Sequence, residues 1–128
     1  MENKYKTQFI EYFTRGIKKK SNLKIGVEQE KFLFEGKNKK RISYEKLKQL
    51  FENLKKNKWE AVFEDNKIIG LKRGKQQITT EPGLQCELSG EPLDTIHKVC
   101  SESTSYLNEI TEASKGLDIS TASIGFDP

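Results

Sequence analysis

The stretch WEAVFEDNKIIGLKRGKQQITTEPGLQCELS, Trp59 to Ser89, decides the fold. It contains four short runs rich in β-formers: Trp59 to Phe63, Ile68 to Lys72, Gln76 to Thr80 and Gln85 to Ser89. Between them stand Glu-Asp-Asn, Arg-Gly and Pro-Gly, residue types that accept the backbone angles of tight turns. Short strands joined by such turns predict a meander of antiparallel hairpins.

Helical periodicity appears on both sides of the meander. Tyr5, Phe9, Tyr12, Phe13 and Ile17 recur at helical spacing, and this first helix should end near Gly16, before a lysine-rich loop leads to a strand through VEQE. A second helix should start at Ser43, which can cap it, with Glu45 in its first turn and Leu47, Leu50, Phe51 and Leu54 facing inward as far as Asn57. Pro92 opens a third, whose stripe Leu93, Ile96, Cys100, Ser103, Leu107 and Ile110 alternates by three and four and closes at Gly116. The run Ile124 to Phe126 reads as a last strand. The predicted class is therefore α+β, an antiparallel sheet with helices packed on one face, and residues 1–128 read as a single incomplete domain.

Four carboxylates fall in the apolar-flanked segments IGVEQEKFLF and ITTEPGLQCELSG. Residues two apart on a strand point to the same side, so Glu28 and Glu30 project together, away from Ile25, Val27 and Leu33. Gln85 and Glu87 likewise share a face opposite Cys86 and Leu88, and Pro82-Gly83 turns the chain so that Glu81 approaches from the preceding loop. Two chemistries satisfy this spacing. The commoner is the solvated face of a half-exposed sheet; the sharper is a carboxylate-lined site for a hard divalent cation, which would offset the repulsion of adjacent acids.

Composition excludes some classes. Charged residues make up 33% of the chain, mean hydropathy is −0.77, and no apolar run approaches the length of a membrane span. The start MENKYKTQFIEYF lacks a signal-peptide pattern, so a cytoplasmic location is the expectation. Two cysteines without CxxC or histidine clustering argue against a disulfide scaffold or a zinc site, and both Cys86 and Cys100 fall where packing residues are expected. The net charge of +4 comes from lysine runs at Lys18 to Lys20 and Lys37 to Arg41. Aromatics are not interleaved with them, so a solvated surface is favoured over a basic nucleic-acid-binding domain, the alternative from a different class. His97, beside the third stripe, reads as a packed or capping residue and is excluded from the site.

The wording of the chain is also informative. The G-x-E-x-E-K-F segment at Gly26 to Phe32, the segment ITTEPGLQCELSG followed by PLDTIH, and Gly125 to Pro128 resemble, in order and spacing, the amino-terminal catalytic region of the plant and alphaproteobacterial type of glutamate-cysteine ligase. The resemblance runs from about Lys24 to the last residue. Members of that family are several hundred residues long, so it implies the amino-terminal piece of a glutamine-synthetase-like carboxylate-amine ligase, inactive alone.

The resemblance further implies ATP-dependent joining of the glutamate side-chain carboxylate to the amine of cysteine through a γ-glutamyl phosphate, the first step of glutathione biosynthesis. It implies Mg2+ held by Glu28, Glu30, Glu81 and Glu87, with Gln85 as a substrate contact and small molecules (glutamate, cysteine, ATP) as the partners. Neither membrane nor nucleic acid is expected to take part. One position departs from the family pattern: Leu84 stands where a second glycine is usual. If that position demands a positive φ, the loop carrying Glu81 is expected to take a different course. A divergent ligase using another amine acceptor is the alternative within the family.

Overall fold

Three tight turns build the sheet in the computed structural model, which describes residues 2–126. Strands β3 (Glu60–Glu64), β4 (Lys67–Arg73), β5 (Gln76–Glu81) and β6 (Gln85–Ser89) form the expected meander, every neighbouring pair antiparallel. Asp65 and Asn66 take φ of 45° and 61° between β3 and β4, the left-handed pair that a two-residue hairpin turn requires. Gly74, at φ 60°, turns β4 into β5.

The sheet is extended by β1 (Glu28–Glu35), which pairs antiparallel with β6, with the short β2 (Lys40–Arg41) and with β7 (Ile119–Ala122). The pairing order is β2-β1-β6-β5-β4-β3, with β7 joined to β1. Helices α1 (Glu2–Arg15), α2 (Tyr44–Leu54) and α3 (Ile96–Ser114) complete the chain.

The core lies between one face of this sheet and helices α2 and α3. Leu33, Leu71, Ile78, Cys86 and Leu88 come from the strands, Leu47, Leu50, Phe51 and Leu54 from α2, and Tyr106, Ile110 and Ala113 from α3. Ser43 caps α2, its hydroxyl accepting from the Lys46 amide at 3.4 Å. Glu35 at the end of β1 accepts in turn from the Ser43 amide (3.1 Å) and hydroxyl (2.8 Å), and these bonds hold its carboxyl below the usual glutamate value.

Polar contacts lock α3 to the sheet. The Arg73 guanidinium lies 4.1 Å from the Trp59 ring centre and donates to Glu109 at 2.9 Å, while the Trp59 indole donates to the same carboxylate at 2.7 Å. Glu102 accepts from the Gln76 amide at 2.7 Å and from the Glu91 backbone at 2.9 Å. Arg73 therefore serves the helix side of the sheet.

Four sequence expectations are corrected. The buried face of α3 is Val99, Tyr106, Ile110 and Ala113, so the period is right but the phase is displaced, and Cys100, Ile96 and Leu107 are exposed. The helix also starts later than Pro92, from the cap Thr95, and His97 is exposed in its first turn. The aromatic stripe Tyr5, Phe9, Tyr12, Phe13 and Ile17 is 65–76% exposed, so α1 forms as expected but does not pack on the sheet. The terminal strand is Ile119–Ala122 rather than Ile124 to Phe126, because β1 offers its free edge at Phe32 to Glu35. Ile124 and Phe126 are exposed beyond it; Asp127 and Pro128 lie outside the described residues.

Candidate metal-binding face

The strand registers place all four glutamates on the sheet face opposite the helices. Glu30 is directly across from Glu87, Glu28 from Ser89, Thr79 from Glu87 and Glu81 from Gln85. Cross-strand partners share a face, so Glu28, Glu30, Glu81, Gln85 and Glu87 project together while Cys86, Leu88 and Ile78 enter the core. This parity is what the sequence spacing predicted within each strand. Pairing of β1 with β6 unites the two halves.

Burial differs along the face. Glu28 and Glu30 are exposed, Glu81 and Gln85 half-buried, and Glu87, on a strand flanked on both sides, is only 9% exposed. The Ser89 hydroxyl donates to Glu87 at 2.9 Å. Among the described residues no lysine or arginine forms an ion pair with any of the four. Lys31, next to Glu30 in sequence, points to the other side and bonds the Ser123 hydroxyl. A hollow of about 370 Å³ lined by Gly26, Val27, Glu28, Ser89 and Gly90 opens beside the Glu28 end.

The acids share a face without forming one compact cage. Neighbouring strands lie about 4.8 Å apart and alternate residues about 6.6 Å, so Glu28 and Glu81 are separated by roughly 10 Å across the sheet and roughly 13 Å along it. Bonds of about 2.0–2.1 Å to one magnesium ion cannot link the two ends. Accordingly, no group of three His, Cys, Asp or Glu side chains among the described residues is gathered to hold an ion. The donor chemistry nevertheless fits magnesium, which is commonly held by one or two carboxylates together with substrate phosphates rather than by a complete protein cage. Glu30 and Glu87 stand opposite one another, with Glu28 two residues along the same side of β1, and Glu81 stands opposite Gln85 at the far end of the face.

The loop joining the two halves of the second motif resolves the question raised by Leu84. Gly83 has φ of 77° and Leu84 of 60°, so position 84 does take the left-handed conformation, and leucine adopts it instead of redirecting the chain. Its side chain packs against the core, which offsets the backbone cost. Glu81 stays in register with Gln85.

Arg41 was not singled out by the sequence, which shows it only as the end of a lysine run. Its guanidinium lies 5.4 Å from the centre of the Phe32 ring and donates to the Gly83 carbonyl at 2.9 Å. The signal was the residue type: a planar guanidinium stacks and donates in a fixed fork where a lysine ammonium does not.

Fold and face together define an α+β domain with helices on one side of an open sheet and a carboxylate-lined surface on the other. Residues 24–128 match the model of glutamate-cysteine ligase family 2, and the chain belongs to this family. Rice (Oryza sativa subsp. japonica) chloroplastic glutamate–cysteine ligase A is 40% identical over 124 residues, covering 96% of this chain and 25% of the relative. The chloroplastic glutamate–cysteine ligase of Arabidopsis thaliana is 42% identical over 120 residues, covering 93% and 23% respectively. The chain thus spans about a quarter of the length of the curated relatives it matches. The expected cytoplasmic location is overturned by this comparison, since these relatives are named as chloroplastic enzymes. No helix among the described residues is long and apolar enough to cross a membrane.

Proposed function

We propose that this chain supplies the acidic sheet face of an ATP-dependent ligase that joins the side-chain carboxylate of glutamate to the amine of cysteine. The observation that carries this reading is the register of Glu30 against Glu87, with Glu28 and Glu81 on the same face and, among the described residues, no lysine or arginine in an ion pair with them. Family membership and the activity for which the relatives are named support the same reaction.

A carboxylate is a poor electrophile, so its activation as γ-glutamyl phosphate precedes attack by the amine, and charge builds on the transferring phosphoryl group. Magnesium, when bound, would supply the positive charge that neutralises the transferring phosphoryl group. Glu28, Glu30 and Glu87 would serve one ion at one end of the face and Glu81 a separate ion at the other, each completed by substrate oxygens, and the Gln85 amide would contact substrate. The Ser89 hydroxyl fixes the Glu87 carboxylate by its hydrogen bond. In the whole protein we place this sheet within a glutamine-synthetase-like fold.

Glu28→Gln and Glu87→Gln in the full-length protein test the proposal, since each keeps size and most hydrogen bonding while removing one negative charge. Glutamate-dependent ATP turnover should fall tenfold or more in both with the thermal transition retained. Full activity in both variants would return the face to a solvated sheet surface and leave the family likeness describing fold alone. Replacing cysteine by other primary amines in the same assay identifies the acceptor.

A further inference from the structure

The hairpin Glu81 to Gln85 holds two consecutive residues, Gly83 and Leu84, in the left-handed region, a course that Leu84 disfavours and that persists only where surrounding contacts over-determine it. One such contact is Leu84 against the core. The other comes from Arg41. This arginine is in register with Phe34, which has the same strand parity as Glu28 and Glu30, so it stands on the acidic side. Its guanidinium is seated over Phe32, a ring only 4% exposed, and from that base donates to the Gly83 carbonyl at 2.9 Å. The fit is close: a Cβ on Gly83 would run into the guanidinium.

We propose that Arg41 is a positioning residue that ties the tip of the Glu81–Gln85 hairpin to β2 and so fixes where the Glu81 carboxylate stands on the metal-binding face. Glu81 and Gln85 are the cross-strand pair at the base of that hairpin, so freedom at the tip is freedom of the Glu81 side chain. This inference rests on the reading of Glu81 as a magnesium ligand.

Arg41→Ala, Arg41→Lys and Glu81→Gln in the full-length protein provide the test, read by backbone amide exchange of residues 82–85 in metal-free protein and by the magnesium dependence of ATP turnover. Arg41→Ala should speed exchange in the hairpin about tenfold without speeding it in α2 or α3. It should also raise half-saturating magnesium about tenfold, the size expected when a residue supporting a metal ligand is lost, with kcat largely recovered at saturating magnesium. Arg41→Lys, which keeps the charge but not the planar fork, should fall between. Unchanged hairpin exchange in Arg41→Ala overturns the proposal, as does faster exchange with unchanged half-saturating magnesium where Glu81→Gln alone raises it. If Glu81→Gln leaves magnesium dependence unchanged, the ligand assignment of Glu81 fails, and with it the role of Arg41 toward the metal.

Discussion

Glu30 and Glu87 stand directly opposite one another on neighbouring antiparallel strands, two like charges at cross-strand positions. Such pairs destabilise a sheet, and Glu87 is buried as well, so its repulsion is poorly screened by water. A fold selected only for stability would place a lysine or threonine at one of them. Thr79, across from Glu87 on its other flank, shows that a neutral residue fits this face.

Relieving that pair should stabilise the metal-free protein. Glu30→Gln removes one charge without changing volume, and a gain of about 0.5–1 kcal/mol, or roughly 2–6 °C in melting temperature, is expected at low salt. The gain should shrink as sodium chloride is added, because Glu30 is exposed and screening acts on it first. A thermal melt series at several ionic strengths checks this; a loss of stability would show that Glu30 makes a favourable contact instead.

The two cysteines should separate cleanly in reactivity. Cys86 is buried with its sulfur 3.6 Å from the Tyr106 hydroxyl, and burial pushes its thiol up to about 11. Cys100 is exposed on α3. A thiol-specific reagent at neutral pH should therefore modify Cys100 in the native protein and reach Cys86 only after denaturation. Native modification lost in Cys100→Ser confirms the assignment, whereas modification of both thiols before unfolding would contradict the buried contact.

The strands, their turns and the α2 stripe were legible because each is a local pattern read by a local rule. Ser43 caps α2 and Leu47, Leu50, Phe51 and Leu54 are all buried, as periodicity required. The α3 phase was not legible: Ile96, Cys100 and Leu107 compete with Val99, Tyr106 and Ala113 at the same alternation of three and four, and only docking chooses between them. The Tyr106 contact with Cys86 and the ties of Glu102 and Glu109 to the sheet settle the choice, all long-range in sequence. On the acidic face, spacing gave the parity within each strand, but the union of Glu30 with Glu87 needed the β1 to β6 pairing. The spread of Glu28 and Glu81 along the sheet likewise follows from register, which single-strand spacing does not contain.

Leu84 offers the sharpest test of the backbone. At φ 60° a leucine carries a cost of about 1–2 kcal/mol that glycine would escape, but its half-buried side chain returns roughly 1 kcal/mol through packing against the core. Leu84→Ala keeps the backbone cost and loses most of the packing, so it should destabilise by about 1 kcal/mol. Leu84→Gly loses the same packing and adds about 0.5–1 kcal/mol of unfolded-chain entropy, yet recovers the left-handed cost, which leaves it close to the parent. The ordering is diagnostic: the glycine variant should be the more stable of the two, reversing the usual preference for alanine inside regular structure. Urea denaturation midpoints for the three proteins decide it, and an alanine variant at least as stable as the glycine variant would mean that residue 84 does not occupy the left-handed region.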